Sequence, residues 1–97
     1  MMTYNFNNPC EERAETIKKY LVEDGSKVIG LQEINKFCKG WETPSGWQRK
    51  VSTYCALVLT DPKLQFVESE NLYSGHFIKA RICYEEKFTF TACAYTP

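Results

Sequence analysis

Apolar and polar positions change their period along the chain, and the changes mark the elements. Met1 to Phe6 reads as a short strand. From Cys10, apolar residues recur at Cys10, Ala14, Ile17 and Leu21, one stripe of a helix over Cys10 to Glu23. Asn8-Pro9-Cys10-Glu11 supplies a start signal, with Asn8 as cap, Pro9 in the first turn and Glu11 three residues beyond the cap. Asp24-Gly25-Ser26 supplies the stop.

The next run, Lys27 to Gln32, is apolar without alternation, which predicts a strand buried on both faces. Asn35 to Gly40 predicts a helical turn, and Thr43-Pro44-Ser45-Gly46 a loop. From Trp47 the chain is strand-rich: Tyr54 to Thr60, Leu64 to Glu68, then a loop through Asn71. A hairpin follows, formed by Gly75 to Tyr84 and Phe88 to Tyr95 across Glu85-Glu86-Lys87. Lys79 and Arg81 alternate with Ile78, Ala80 and Ile82, the pattern of a half-solvated strand.

Ninety-seven residues with this order predict one domain over residues 1–97. The expected class is α+β: a mixed, mainly antiparallel sheet with the Cys10 to Glu23 helix on one face. Twelve basic and twelve acidic side chains cancel, which argues against a strong sequence-independent grip on nucleic acid. The five cysteines (Cys10, Cys38, Cys55, Cys83, Cys93) form no CxxC pair, so zinc and a disulfide framework are not expected. Cys55, Cys83 and Cys93 lie in strand-like apolar runs, as reduced cysteines do. A cytoplasmic, reducing location follows as an expectation, with no signal peptide and no membrane span.

Glu33 is the first candidate for chemistry. It closes the buried run Val28-Ile29-Gly30-Leu31-Gln32, so a rigid strand delivers a carboxylate to its open end. His76, the single histidine, reads as a surface or pairing residue of the hairpin. Trp41 and Trp47 flank a Pro/Gly loop and read as an edge seal or a contact patch.

Four segments together resemble the endonuclease/exonuclease/phosphatase superfamily, in particular apurinic/apyrimidinic and non-LTR retrotransposon endonucleases. They are Thr3-Tyr4-Asn5-Phe6-Asn7, Val28-Ile29-Gly30-Leu31-Gln32-Glu33, Tyr54-Cys55-Ala56-Leu57-Val58-Leu59, and the hairpin from Gly75-His76-Phe77 to Ala94-Tyr95-Thr96-Pro97. The likeness extends over about the first half of that domain. It implies magnesium held weakly, with Glu33 as principal ligand and Asn7 as ancillary ligand, and Tyr95 near a scissile phosphate. The family's later Asp-x-Asn and Ser-Asp-His motifs have no counterpart in this sequence. The resemblance therefore implies a truncated nuclease-like domain, catalytically incomplete alone and related to magnesium-dependent phosphodiester hydrolysis.

In the full family fold two sheets stack. Half of it would supply mainly one sheet, leaving an inner face lined by residues such as Val28, Ile29, Leu57, Leu59, Phe88 and Phe90. A homodimer or a protein partner covering that face is expected, with nucleic acid as a further partner. The alternative function is a non-catalytic binding protein that inhibits or regulates a nucleic-acid enzyme, for example a small phage-type anti-defence protein.

Overall fold

Two strands are apolar at nearly every position, and the architecture is built around them. In the computed structural model, which describes residues 1–97, these are β2 (Val28–Gln32) and β4 (Cys55–Leu59). Each lies between two neighbours in a four-stranded sheet of order β1-β2-β4-β3, where β1 is Met2–Asn5 and β3 is Gln48–Val51. β1 runs parallel to β2, and the other pairings are antiparallel. The remaining strands, β5 (Leu64–Leu72), β6 (Phe77–Tyr84) and β7 (Phe88–Tyr95), form a second, antiparallel sheet of order β5-β6-β7.

Helix α1 (Glu11–Asp24) lies on one face of the first sheet, and the second sheet lies on the other. Ala14, Ile17 and Leu21 of α1 pack with Ile29 and Leu31 of β2 and with Ala56 and Val58 of β4. From the opposite face, Val28, Cys55, Leu57 and Leu59 meet Ile78, Ala80, Ile82, Ala92 and Ala94. Every position of β4 is buried because each face has its own cover. The short helix α2 (Lys36–Lys39) adds Cys38 to the helix side, where Trp41 and Trp47 meet edge to face at 5.8 Å and seal the core. No helix is long and apolar enough to cross a membrane.

The α+β class holds, with one main helix and mixed and antiparallel pairing. The distribution of strands differs from expectation. This chain supplies two stacked sheets, so the inner face expected to lie open is covered by β5 to β7. Phe88, expected to line it, is exposed. Cys93 also points outward, because β7 buries only alternate residues.

Local corrections have local causes. Cys10 occupies the N-cap of α1 without a side-chain cap bond. Asn8 instead takes a left-handed conformation, and its amide donates to the Glu33 carbonyl at 2.8 Å. The helix stop is as expected, with Gly25 left-handed at φ 84°. β5 runs on to Leu72, through the expected loop, because a bulge between Phe66 and Glu68 resets the alternation. The hairpin turn carries Glu85 and Glu86 at positive φ, with the Lys87 amide donating to the Tyr84 carbonyl, the geometry of a type I′ turn.

Candidate functional site

β1 and β2 are parallel and β4 is antiparallel to them, so the C-terminal ends of the first two meet the N-terminal end of the third. β7 delivers its own C-terminal end to the same corner. Asn7, Asn8, Glu33, Ile34, Tyr54 and Thr96 line an open depression there of about 340 Å3. Glu33 and Asn7, paired on sequence grounds, are thus brought together. Tyr95 is placed differently: its half-exposed ring packs against Phe77 on the outer face of the second sheet, with centroids 6.2 Å apart.

The corner is held through backbone groups. Asn7, Asn8 and Glu33 all have positive φ, at 59°, 43° and 50°. Asparagine tolerates this region, whereas a glutamate there requires support from its surroundings. Glu33 is supported on both sides. Its amide donates to Thr96 Oγ1 at 3.0 Å, and its carbonyl accepts from Asn8. The Thr96 hydroxyl in turn donates to the Tyr54 carbonyl at 2.9 Å. Gln32 Nε2 donates to the Tyr95 carbonyl at 2.7 Å, so the side chain before Glu33 ties the two sheets. Asn5 Oδ1 accepts from the Asn7 amide at 2.8 Å.

With its backbone pinned, the Glu33 side chain is left free. No Lys, Arg or His lies within ion-pair distance of its carboxylate, and no donor in the protein is bonded to it. The donors around the depression are all oxygens: the carboxylate, the Asn7 and Asn8 amides, and the Tyr54 and Thr96 hydroxyls. No cluster of three His, Cys, Asp or Glu side chains is present. That set suits a hard cation that keeps most of its own waters, such as magnesium, and not zinc. Glu33, with Asn7, is the pair that would hold it.

His76 stands beside this corner. Its ring stacks on Tyr54 at 4.3 Å, and Nδ1 lies 2.9 Å from the Thr96 carbonyl. A carbonyl only accepts, so Nδ1 carries a proton and donates it to Thr96. The surface-or-pairing reading is half met: the residue is partly buried and attached to the site's own frame. Gly75, just before it, accepts from the Tyr54 amide at 3.1 Å and from Ser52 Oγ at 3.1 Å. Gly75 has φ 90°, and a Cβ there would fall 2.4 Å from Thr53 Oγ1, so both conformation and space require glycine.

Tyr54, Thr96 and His76 were not singled out from the sequence as site-forming. Their only signal there is a polar or aromatic residue at a strand end, which is common. A larger depression, of about 400 Å3, lies on the outer face of the second sheet. Its Glu68, Glu70, Lys79 and Arg81 already face one another as ion pairs, and it gathers no comparable free group.

This layering of helix, mixed sheet and antiparallel sheet is an α+β arrangement with a carboxylate at converging strand ends. Among solved structures, the crystal structure of humanized D. rerio TDP2 with 14 mutations matches it with a TM-score of 0.77 at 14% identity. The match covers 95% of this chain and 44% of that one. D. rerio TDP2 complexed with single strand DNA product matches at TM-score 0.76 and 14% identity, over 95% and 43%. TDP2 is a member of the endonuclease/exonuclease/phosphatase superfamily, so the resemblance seen in the sequence extends to the fold. The chain spans less than half the length of these structures. No family model and no curated protein matches the sequence.

Proposed function

We propose that this protein is a truncated nuclease-like domain that engages a nucleic-acid phosphodiester at the Glu33 depression and does not complete hydrolysis alone. One observation carries the reading: the Glu33 carboxylate has no partner within the protein, while its backbone is fixed from both sides in an unfavourable conformation. Residues held in such a conformation by their surroundings cluster at functional sites, and here the pinned backbone carries a free charged group. A fold neighbour solved with a single-strand DNA product supports nucleic acid as the ligand class.

In this reading Glu33 and Asn7 would hold magnesium, weakly. When bound, the ion neutralises phosphate charge. Thr96 fixes the backbone of Glu33, and Tyr95, whose ring lies on the outer face beyond the depression, would meet only a phosphate that extends past its rim. Phosphoryl transfer also requires a positioned base and further charge stabilisation. A single carboxylate does not provide these, so the chain acts as an incomplete site that a partner completes or a binding module. Five unpaired cysteines support a reducing, cytoplasmic location.

The test is a magnesium titration followed by amide NMR signals, with a cleavage assay on single-stranded DNA in the same samples. Shifts at Asn7, Asn8 and Thr96 are expected for the native chain and should vanish for Glu33→Ala. Shifts that survive Glu33→Ala would sink the metal assignment. DNA binding indifferent to both magnesium and Glu33 would favour the inhibitor or regulator reading. Cleavage by the chain alone, lost in Glu33→Ala, would show that the site is complete.

A further inference from the structure

The four edge strands of the two sheets differ in how they are protected. β3 is short and carries Arg49 and Lys50, and β5 carries a bulge with Glu68 and Glu70. Short edges, charges and bulges are the usual devices against strand pairing. β1 has only four residues. β7 has none of these devices. Its eight residues, Phe88 to Tyr95, include no charge, proline or glycine, and its register with β6 is unbroken.

The ladder fixes which groups of β7 are free. The Thr96 amide donates to the His76 carbonyl, so the residues bonded to β6 are those in step with Thr96: Ala94, Ala92 and Phe90. Thr89, Thr91 and Cys93 therefore point their N–H and C=O groups away from the sheet. Tyr95 does so too, and its carbonyl is already taken by Gln32.

We propose that this free edge pairs with the same edge of a second copy of the chain, antiparallel and centred on Thr91. The register is self-complementary. Thr91 faces Thr91 of the other copy, and Thr89 faces Cys93, so three residues on each side exchange all their outward groups. On the inner face, half-buried Phe90 is set against Ala92 twice over, a large side chain against a small one. No like charges meet along the seam, as a two-fold contact requires. The result is a six-stranded sheet. Tyr95 of one copy lies eight strand positions from Tyr95 of the other, about 27 Å at the usual rise. The two Glu33 corners are thus at opposite ends, and the dimer covers the edge without completing either site. The inference stands apart from the phosphodiester reading and survives if that reading fails.

Mass in solution by light scattering tests it, with hydrogen exchange on the same protein. The native chain should weigh twice its 11.3 kDa, with slowed exchange at the Thr89, Thr91 and Cys93 amides. Thr91→Pro removes an N–H that β6 does not use, and should halve the mass with circular dichroism preserved. If that variant does not fold, Thr91→Lys, which sets like charges across the two-fold axis, should halve the mass instead. Glu68→Lys, on the opposite edge, should leave the mass doubled. A native chain that is monomeric at every concentration, or a dimer that persists in the folded Thr91 variants, would overturn the proposal.

Discussion

The four-stranded sheet is covered twice and the three-stranded sheet once. The first has a helix on one side and a sheet on the other, and its central strands are buried at every position except Gln32. The second has the first sheet on one side and solvent on the other, and β6 and β7 alternate accordingly. The same strand geometry therefore produces two sequence patterns, one continuous and one period-two. The stability of the molecule should be concentrated in the twice-covered sheet, where each side chain contributes to one of two cores. The outer face of the second sheet is left free to vary.

The largest effect is expected at the shared wall. Leu57 is fully buried between the sheets. Leu57→Ala should cost about 3 kcal/mol in urea unfolding, within the range for a buried leucine that leaves a cavity. A loss below 1 kcal/mol would mean that the two sheets pack loosely. Next is the tie between them: Thr96→Val keeps the shape but leaves the Glu33 amide without its acceptor. A loss of about 2 kcal/mol is expected, accompanied by weaker magnesium response if Glu33 is the ligand.

A third effect separates the two cores by pH. Burial pushes the Cys38 thiol, under the helix, up from 9.0 to about 11, against the opposing pull of Arg49, Lys18 and Lys39. The folded state therefore favours the neutral thiol. Stability from this group is full below pH 9 and is lost as pH rises toward 11. Between pH 8 and pH 10 that amounts to about 1 kcal/mol, and Cys38→Ala should show a correspondingly flatter alkaline limb. Cys55, buried between the sheets, is shifted in the same direction by burial. It would keep some slope in that variant. The smallest effect belongs to the solvated face. Arg81→Ala removes a half-exposed ion pair with Glu68 and should change stability by no more than about 0.5 kcal/mol. A larger loss would show that this face is covered in solution.

The difference between the sheets also explains what the sequence disclosed. β2 and β4 were legible because nothing interrupts their apolar runs. A run buried on both faces does not say what covers each face, so the second sheet could not be separated from the first. The far half of β5 was hidden by its bulge, which breaks the period on which the reading depends. Glu33 was legible because a charge closing an apolar run is a local signal. Thr96, Tyr54 and His76 were not, since each gains its place through a partner far along the chain. Asn8 offered a sound capping signal, but the same residue type also tolerates a left-handed turn, and the Glu33 carbonyl claimed it.

The hydrogen bond from the Glu33 amide to the Thr96 hydroxyl spans 63 residues. Chains are synthesised from the N-terminus, and a contact of that span can form only after the later partner has emerged. Helix α1, β2 and β4 can all be in place while Glu33 still lacks the acceptor that fixes it. The corner is therefore set later than the sheet that carries it, and a chain synthesised only as far as residue 95 has the Glu33 strand without the hydroxyl that fixes it.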